Sequence, residues 1–215
     1  MRPFLALVVV ASLGACGTLP ERTDSPSDAP DARAPAAANF IAPASYDAAL
    51  QTWRGADDIN AWIGARFEYD RARALQLSET QRSAGARLPI HPARAFYDAP
   101  HGVCVDLSRF AVETLRAIDP QARPAYLMIE FEPVSIAGNV LRRHWVATFE
   151  RDGRHWFFAD SKRPGHIAGP YRSTREFVDD YARYRGRSVV AFRELDSFER
   201  KTRVLAVRQD RTPAP

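Results

Sequence analysis

One cysteine lies where the sequence pattern could activate it as a nucleophile. Cys104 stands in the stretch His101-Gly102-Val103-Cys104-Val105-Asp106, at the start of a segment whose apolar spacing predicts a helix. The positive end of a helix dipole favours the thiolate, which is the nucleophilic form of cysteine. The backbone N–H of Cys104 could donate to an oxyanion, and Gly102 would leave room for a substrate carbonyl. A cysteine packed in the core would produce the same pattern.

Two later residues could complete a proton-transfer chain to this thiol. His144 opens the apolar stretch 144–149, and Asp160 follows the apolar stretch 155–159. The imidazole could accept the thiol proton, and the carboxylate could hold the second ring nitrogen and set its tautomer. Each residue by itself also suits a plainer role, because many histidines are structural and many aspartates form turns or helix caps.

The loop between the two strands decides whether His144 and Asp160 can meet. A two-residue turn at Asp152-Gly153 would pair His144 with Ser161 and direct Asp160 to the other face. A three-residue loop with a bulge at Gly153 would place Asp160 opposite His144, so the triad requires the bulged loop. The other cross-strand pairs that the bulged loop predicts are Glu150 with Arg154, Val146 with Phe158 and Thr148 with Trp156.

The order of these residues resembles that of a known enzyme superfamily. Gly102-Val103-Cys104-Val105-Asp106 is similar to the G-x-C-x-D signature of the transglutaminase-like superfamily, and the resemblance extends over residues 55–170. It implies an α+β, papain-like fold in which the nucleophile helix packs on an antiparallel sheet. It also implies Cys104 as the nucleophile, His144 as the base and Asp160 as the residue that orients the base. Two departures are that Trp145 follows His144 directly, where the family often has an intervening small residue, and that Ser161 stands where a proline is common.

The activity implied by this resemblance is acyl transfer through a thioester. Cys104 would attack an amide bond of a protein or peptide substrate, and water or an amine would accept the acyl group, without a cofactor. The expected protein is therefore a peptidase, amidase or transamidase. A catalytically idle binding module with the same fold is the alternative, and an envelope lipoprotein with accidental matches is a third hypothesis.

Periodicity predicts the elements that would position these residues. One or two helices are expected over 45–69 with a break near Gly55, then a loop with a helical turn over 71–90. Asp119-Pro120 should end the helix over 103–118, and Ser173 with Glu176 resembles a capping box. The remaining predicted helices span 92–98 and 174–184, and the predicted strands span 124–131, 144–150, 155–159, 189–192 and 203–207.

The amino terminus resembles a lipoprotein signal peptide. Arg2 precedes an apolar run over 3–13, and Leu13-Gly14-Ala15-Cys16 is similar to the bacterial lipobox. The lipobox resemblance implies cleavage after residue 15 and a diacylglyceryl group, a palmitate-containing lipid anchor, on the thiol of Cys16. An ordinary cleaved signal is the alternative. The residue after Cys16 is not aspartate, which favours the periplasmic face of the outer membrane. Residues 16–44 are then a disordered tether, 45–208 the domain and 209–215 a flexible tail.

Composition excludes several other functions. The formal net charge is +4, and the basic residues are dispersed among acidic ones, which argues against nucleic acid as a partner. The histidines are scattered and one cysteine is assigned to the lipid, so no metal site is predicted. With Cys16 lipidated, Cys104 would have no partner for an intramolecular disulfide.

Overall fold

The first half of the domain is helical. The computed structural model describes residues 40–158 and 165–199. Its early helices are α1 (Tyr46–Thr52), α2 (Ala56–Arg66), α3 (Arg71–Gln76), α4 (Glu79–Ser83), α5 (Ala93–Asp98) and α6 (Cys104–Ile118). Ser45 caps α1 by accepting a hydrogen bond from the N–H of Ala48, and Gly55 separates α1 from α2 as predicted. A short parallel pair, β1 (Glu68–Tyr69) with β2 (His101–Gly102), lies beside the amino end of α6.

The second half forms an antiparallel sheet and one more helix. The strands are β3 (Ala125–Ile136), β4 (Asn139–Arg151), β5 (Arg154–Phe158), β6 (Ile167–Tyr171) and β7 (Val189–Leu195). In space their order is β6-β5-β4-β3-β7, so β4 and β3 are central. Between β6 and β7 the chain forms α7 (Thr174–Arg185), where Ser173 accepts a hydrogen bond from the N–H of Glu176. The α+β class predicted from the sequence is therefore confirmed.

Two tight turns set the registers of β4. Ala137-Gly138 joins β3 to β4 and Asp152-Gly153 joins β4 to β5, and all four residues have positive φ, between 48° and 74°. Positive φ at both central residues is the type I′ geometry, whose twist matches that of the flanking strands. Arg151 pairs with Arg154 across the second turn, which is therefore a two-residue turn.

The bulged register that the triad required is wrong. Glu150 pairs with His155 and Thr148 with Phe157, each one position away from the bulged prediction. The predicted Glu150–Arg154 pair does not form; instead, Arg123 donates to Glu150 at 3.1 Å. Because side chains alternate along a strand, a shift of one residue exchanges which side chains share a face.

The sheet separates two apolar clusters. On the first side, which we call the α6 face, α1, α2, α5 and α6 pack on the sheet residues Tyr126, Ala147, Phe149 and Phe158. On the second side, the α7 face, α7 packs on Leu127, Ile129, Phe131, Val146 and Phe157. Phe177 of α7 stacks on Phe157 with ring centroids 3.8 Å apart. Alternation along β3 and β4 supplies both clusters, as strands buried on both faces require.

Most predicted elements are present, with several additions. The predicted helices are confirmed within a few residues at 46–52, 56–66, 93–98, 104–118 and 174–185. The four predicted strands before residue 196 are confirmed as well, except that β3 and β4 extend further at their shared turn. β6 was missed because Gly169 and Pro170 interrupt its apolar pattern, as they do in edge strands. The segment 71–83 contains two short helices, where a loop with one helical turn was predicted. Phe40 and Ala42 pack on the α6-face cluster, so the ordered domain begins before Ser45.

Several predictions fall outside the described residues. They concern the signal peptide 1–15, the lipidation site Cys16, the triad residue Asp160, the strand over 203–207 and the tail 209–215. Among the helices that the structure describes, none combines the length and apolar character needed to cross a membrane.

Candidate functional site

Cys104 lies in the wall of a cavity at the amino end of α6. The thiol residue is 6% exposed, and the cavity has a volume of about 610 Å³. Val103, Cys104 and Val105 together form this part of the wall, so the positive end of the α6 dipole faces the cavity. The predicted position of Cys104 at a helix start is confirmed, and its role as oxyanion donor stays a prediction.

Asp106 fastens the start of α6 to the preceding segments. Its fully buried carboxylate accepts two hydrogen bonds from Arg73, from Nε at 2.8 Å and Nη2 at 2.9 Å. It also accepts the backbone N–H groups of His91 at 2.9 Å and Val103 at 3.1 Å. Four donors satisfy a buried carboxylate, so the last residue of the G-x-C-x-D pattern has a structural role. The sequence analysis missed Arg73, and the only local signal was its position after Asp70, which caps α3.

Gly102 is required for packing and not for substrate access. A Cβ at this position would lie 2.9 Å from the Cβ of Asp106 and 2.9 Å from Cε2 of Phe96. The backbone of Gly102 is therefore covered by side chains of the protein itself. The expectation that this glycine leaves room for a substrate carbonyl is wrong.

His144 is buried against α7. Its Nε2 lies 3.1 Å from the hydroxyl of Tyr181, and the two rings stack with centroids 5.3 Å apart. Its cross-strand neighbour on β3 is Ile129, a member of the α7-face cluster. The side chain of His144 is 0% exposed, so the imidazole belongs to the core of the α7 face.

Cys104 and His144 therefore lie on opposite faces of the sheet. Cys104 begins α6, which packs on the α6 face, whereas the imidazole contacts α7 on the other side. Trp145, the next residue along β4, lines the cavity with Cys104. The pairing of thiol and imidazole predicted from the sequence is wrong, because adjacent strand residues point to opposite faces. Asp160 lies outside the described residues, and its part in the triad stays a prediction.

Arg143 occupies the strand position on the cavity side that is nearest to Trp145. Its guanidinium forms ion pairs with Glu79 at 3.2 Å and with Glu130 at 3.1 Å. If a histidine stood at position 143, with one residue between it and Trp145, both side chains would lie on the α6 face. In this chain that position carries a permanent cation, which cannot accept a proton from a thiol.

The described side chains around Cys104 include no imidazole that could accept the thiol proton. No histidine occurs among the described residues lining the cavity. Tyr126 stacks edge-on against Trp145, and burial raises the pKa of this tyrosine to about 12, so its phenol stays protonated at neutral pH. The polar residues in the wall are Tyr69, Ser78, Glu79, Arg82, Arg87, Arg142, Arg143 and Glu199.

Comparisons with known proteins add no assignment. No protein-family model matches the sequence. No curated protein is similar enough to be counted as a relative. Within the described residues, histidine, cysteine, aspartate and glutamate form no group that could hold a metal ion.

Proposed function

We propose that this domain binds a ligand in the cavity beside Cys104 and does not use the thiol as a catalyst. Its fold would be that of the transglutaminase-like superfamily, with the predicted base, His144, buried on the face of the sheet away from Cys104. Support for that fold comes from the G-x-C-x-D pattern at the start of α6 and from the packing of α6 on an antiparallel sheet. In this proposal a lipid on Cys16 tethers the domain to the periplasmic face of the outer membrane.

The separation of Cys104 and His144 by the sheet is the observation that carries the proposal. A general base must come within hydrogen-bonding reach of the proton that it removes. To bring the imidazole to the thiol, β4 would have to exchange its two faces. That rotation would also take Val146 out of the α7-face cluster and place Arg143 on the α7 face. Thermal fluctuation of one side chain does not achieve that rearrangement.

The enzymatic alternative retains two supporting observations. Cys104 lies at the positive end of a 15-residue helix and lines a cavity large enough for a ligand. Those features favour a thiolate nucleophile in general. A thiol enzyme would then need a proton acceptor other than His144.

The pH dependence of thiol alkylation distinguishes the two functions. We expect the rate of iodoacetamide labelling at Cys104, followed from pH 5 to 10, to have the same midpoint in the wild type and in His144→Gln. His155→Gln, which changes a partly exposed histidine, is the matched control. Circular dichroism checks that each variant is folded.

Turnover provides the second readout of the proposed function. Amide and peptide libraries incubated with the wild type and with Cys104→Ala should yield the same products at the same rates. Hydrolysis or amine transfer that disappears in Cys104→Ala would overturn the proposal. A labelling midpoint that shifts only in His144→Gln would do so as well.

A further inference from the structure

The segment 77–88, between α3 and α5, forms one side of the cavity beside Cys104. It includes α4, and we call it the flap. The start of α6 and the strand β4 supply other parts of the described wall. The residues that the flap contributes to the wall include Leu77, Glu79, Arg82, Ala86 and Leu88. A ligand that approaches Cys104 from this side must therefore pass the flap.

Both ends of the flap are fixed at the start of α6. Before the flap, Arg73 of α3 donates to the buried carboxylate of Asp106 through Nε and Nη2. After the flap, the carbonyl oxygen of Pro89 accepts a further hydrogen bond from Nη2 of Arg73, and the N–H of His91 donates to the same carboxylate. These bonds join the two ends, so the flap can move about this base as a loop about its hinge.

The flap has no apolar anchor in the core. Among the described residues, neither apolar cluster of the domain includes a member of the flap. The one buried residue of the flap is Ser78, which is polar, and Leu77 and Leu88 are half-buried in the cavity wall. A segment with few buried apolar contacts opens at a lower free-energy cost than the core does.

Hydrogen bonds attach the middle of the flap to the start of β4. The side-chain oxygen of Asn139 accepts from the hydroxyl of Ser78 at 3.1 Å and from Nε2 of Gln81 at 3.0 Å. The hydroxyl oxygen of Thr80 accepts from the N–H of Val140 at 2.9 Å. We call these three hydrogen bonds the latch. Water can replace each partner when the flap moves away, so the net cost of releasing one of these bonds is small.

One ion pair joins the flap to β4 inside the cavity. Glu79 lies 3.2 Å from the guanidinium of Arg143, with the two side chains 29% and 16% exposed. Arg143 also binds Glu130 of β3 at 3.1 Å. Movement of the flap would therefore leave this cation with a carboxylate partner, and the large penalty for an unpaired buried charge would not arise.

We propose that the flap opens to admit a ligand to the cavity beside Cys104 and closes again when the latch reforms. This inference deepens the proposed binding function, on which it rests, by naming what controls access to the cavity. In the closed state the thiol residue is 6% exposed. In the open state the latch groups are hydrated, and the part of the wall formed by Cys104 and Trp145 is accessible.

The rate at which Cys104 reacts with a bulky thiol reagent tests the flap. Gln81→Ala removes one latch bond without changing the described wall, since Gln81 does not line the cavity. We expect Cys104 in this variant of the full chain to react with fluorescein maleimide about fivefold faster, the effect of one lost hydrogen bond. The matched control is Gln76→Ala, at an exposed glutamine of α3 outside the latch, which should react at the wild-type rate. Peptide mass spectrometry distinguishes the label on Cys104 from label on Cys16.

Hydrogen exchange measures the opening independently of the thiol. The amides of Arg82 and Ala84, which are bonded within α4, should exchange together and faster than the amides of α6. Gln81→Ala should accelerate exchange in the flap by about fivefold, again the effect of one hydrogen bond, and leave α6 unchanged.

Several results would overturn the flap. They are equal labelling rates in the wild type and Gln81→Ala, an equal gain in Gln76→Ala, and flap amides as protected as those of α6. A faster rate with a shifted pH midpoint of labelling would also count against it, because it would indicate altered thiol chemistry and not altered access. Failure of the proposed function is distinguishable, because it appears as Cys104-dependent turnover, which neither measurement of the flap requires.

Discussion

His144 and Trp145 are consecutive in the sequence, and this spacing determines which of the two side chains lies on the side of the thiol. Side chains on a strand alternate, so these two neighbours cannot share a face. Trp145 borders the cavity of Cys104, and His144 stacks on Tyr181 across the sheet. The histidine is present in the chain and correctly placed on a strand, but the spacing directs it away from the sulfur.

Adding a single methyl group at Gly102 tests whether the space around its backbone is filled. Gly102→Ala should lower the free energy of unfolding by about 1–3 kcal/mol, because the new Cβ overlaps Asp106 and Phe96 in a filled site. Gly55→Ala is the control, since no atom lies within 4 Å of a Cβ there and its φ is 177°. Urea unfolding measures both, and equal losses would contradict the packing role of Gly102.

The elements around the thiol are held by a buried ion pair and not by catalytic contacts. The carboxylate of Asp106 connects the first turn of α6 to α3 through Arg73 and to the segment before α5 through the N–H of His91. The side chains of Arg73 and Asp106 are 10% and 0% exposed, so neither charge is solvated. The aspartate of the signature therefore shapes the cavity wall by positioning α6.

Breaking this pair should cost far more than breaking a surface pair on the same helix. Asp106→Ala should reduce the free energy of unfolding by about 3–5 kcal/mol, because it leaves the guanidinium of Arg73 buried without a counter-ion. Glu113→Ala, which removes the partly exposed partner of Arg109 in α6, should cost about 0–1 kcal/mol.

A double variant distinguishes the free-energy cost of the unpaired buried charge from the cost of the lost packing. Adding Arg73→Met to Asp106→Ala should recover part of the lost stability, because the unpaired charge is then removed. Chemical unfolding of the three proteins measures the recovery. A double variant less stable than Asp106→Ala would contradict the buried-charge explanation.

At the scale of the whole molecule, the sheet acts as a partition. One cluster lies between the sheet and α6, the other between the sheet and α7, and each takes alternate residues of β3 and β4. The cavity and Cys104 belong to the first side, and His144 and Tyr181 to the second. The described titratable groups buried beneath α7 therefore lie on the other side of the sheet from the thiol.

A double-mutant cycle tests this partition. Val112 of α6 and Val178 of α7 are both 0% exposed, one in each cluster. Each Val→Ala change should destabilise the domain by about 1–3 kcal/mol, and the two losses should add within about 0.5 kcal/mol. Urea unfolding of the singles and the double gives the coupling energy. Coupling above about 1 kcal/mol would mean that the two clusters form one core.

Much of the fold was predictable from the sequence. The apolar spacing located α1, α2, α6 and α7, Asp119-Pro120 ended α6, and the Ser173 cap began α7. Such signals act within one or two turns of chain, where neighbouring residues determine the local conformation. Asp152-Gly153 also favoured a two-residue turn, and only the triad hypothesis required the bulged loop.

The sequence by itself determined where the helices and strands lie and that Cys104 begins a helix. Only the tertiary structure decided which face of the sheet each candidate residue occupies, and that Trp145 and not His144 borders the space beside the thiol. The physical reason is that periodicity depends on residues close in the chain. The face that a strand residue shares with a helix depends on turn register and on which side distant helices pack. One position along β4 was enough to separate the imidazole from the sulfur, because Trp145 borders the cavity and His144 lies on the other face.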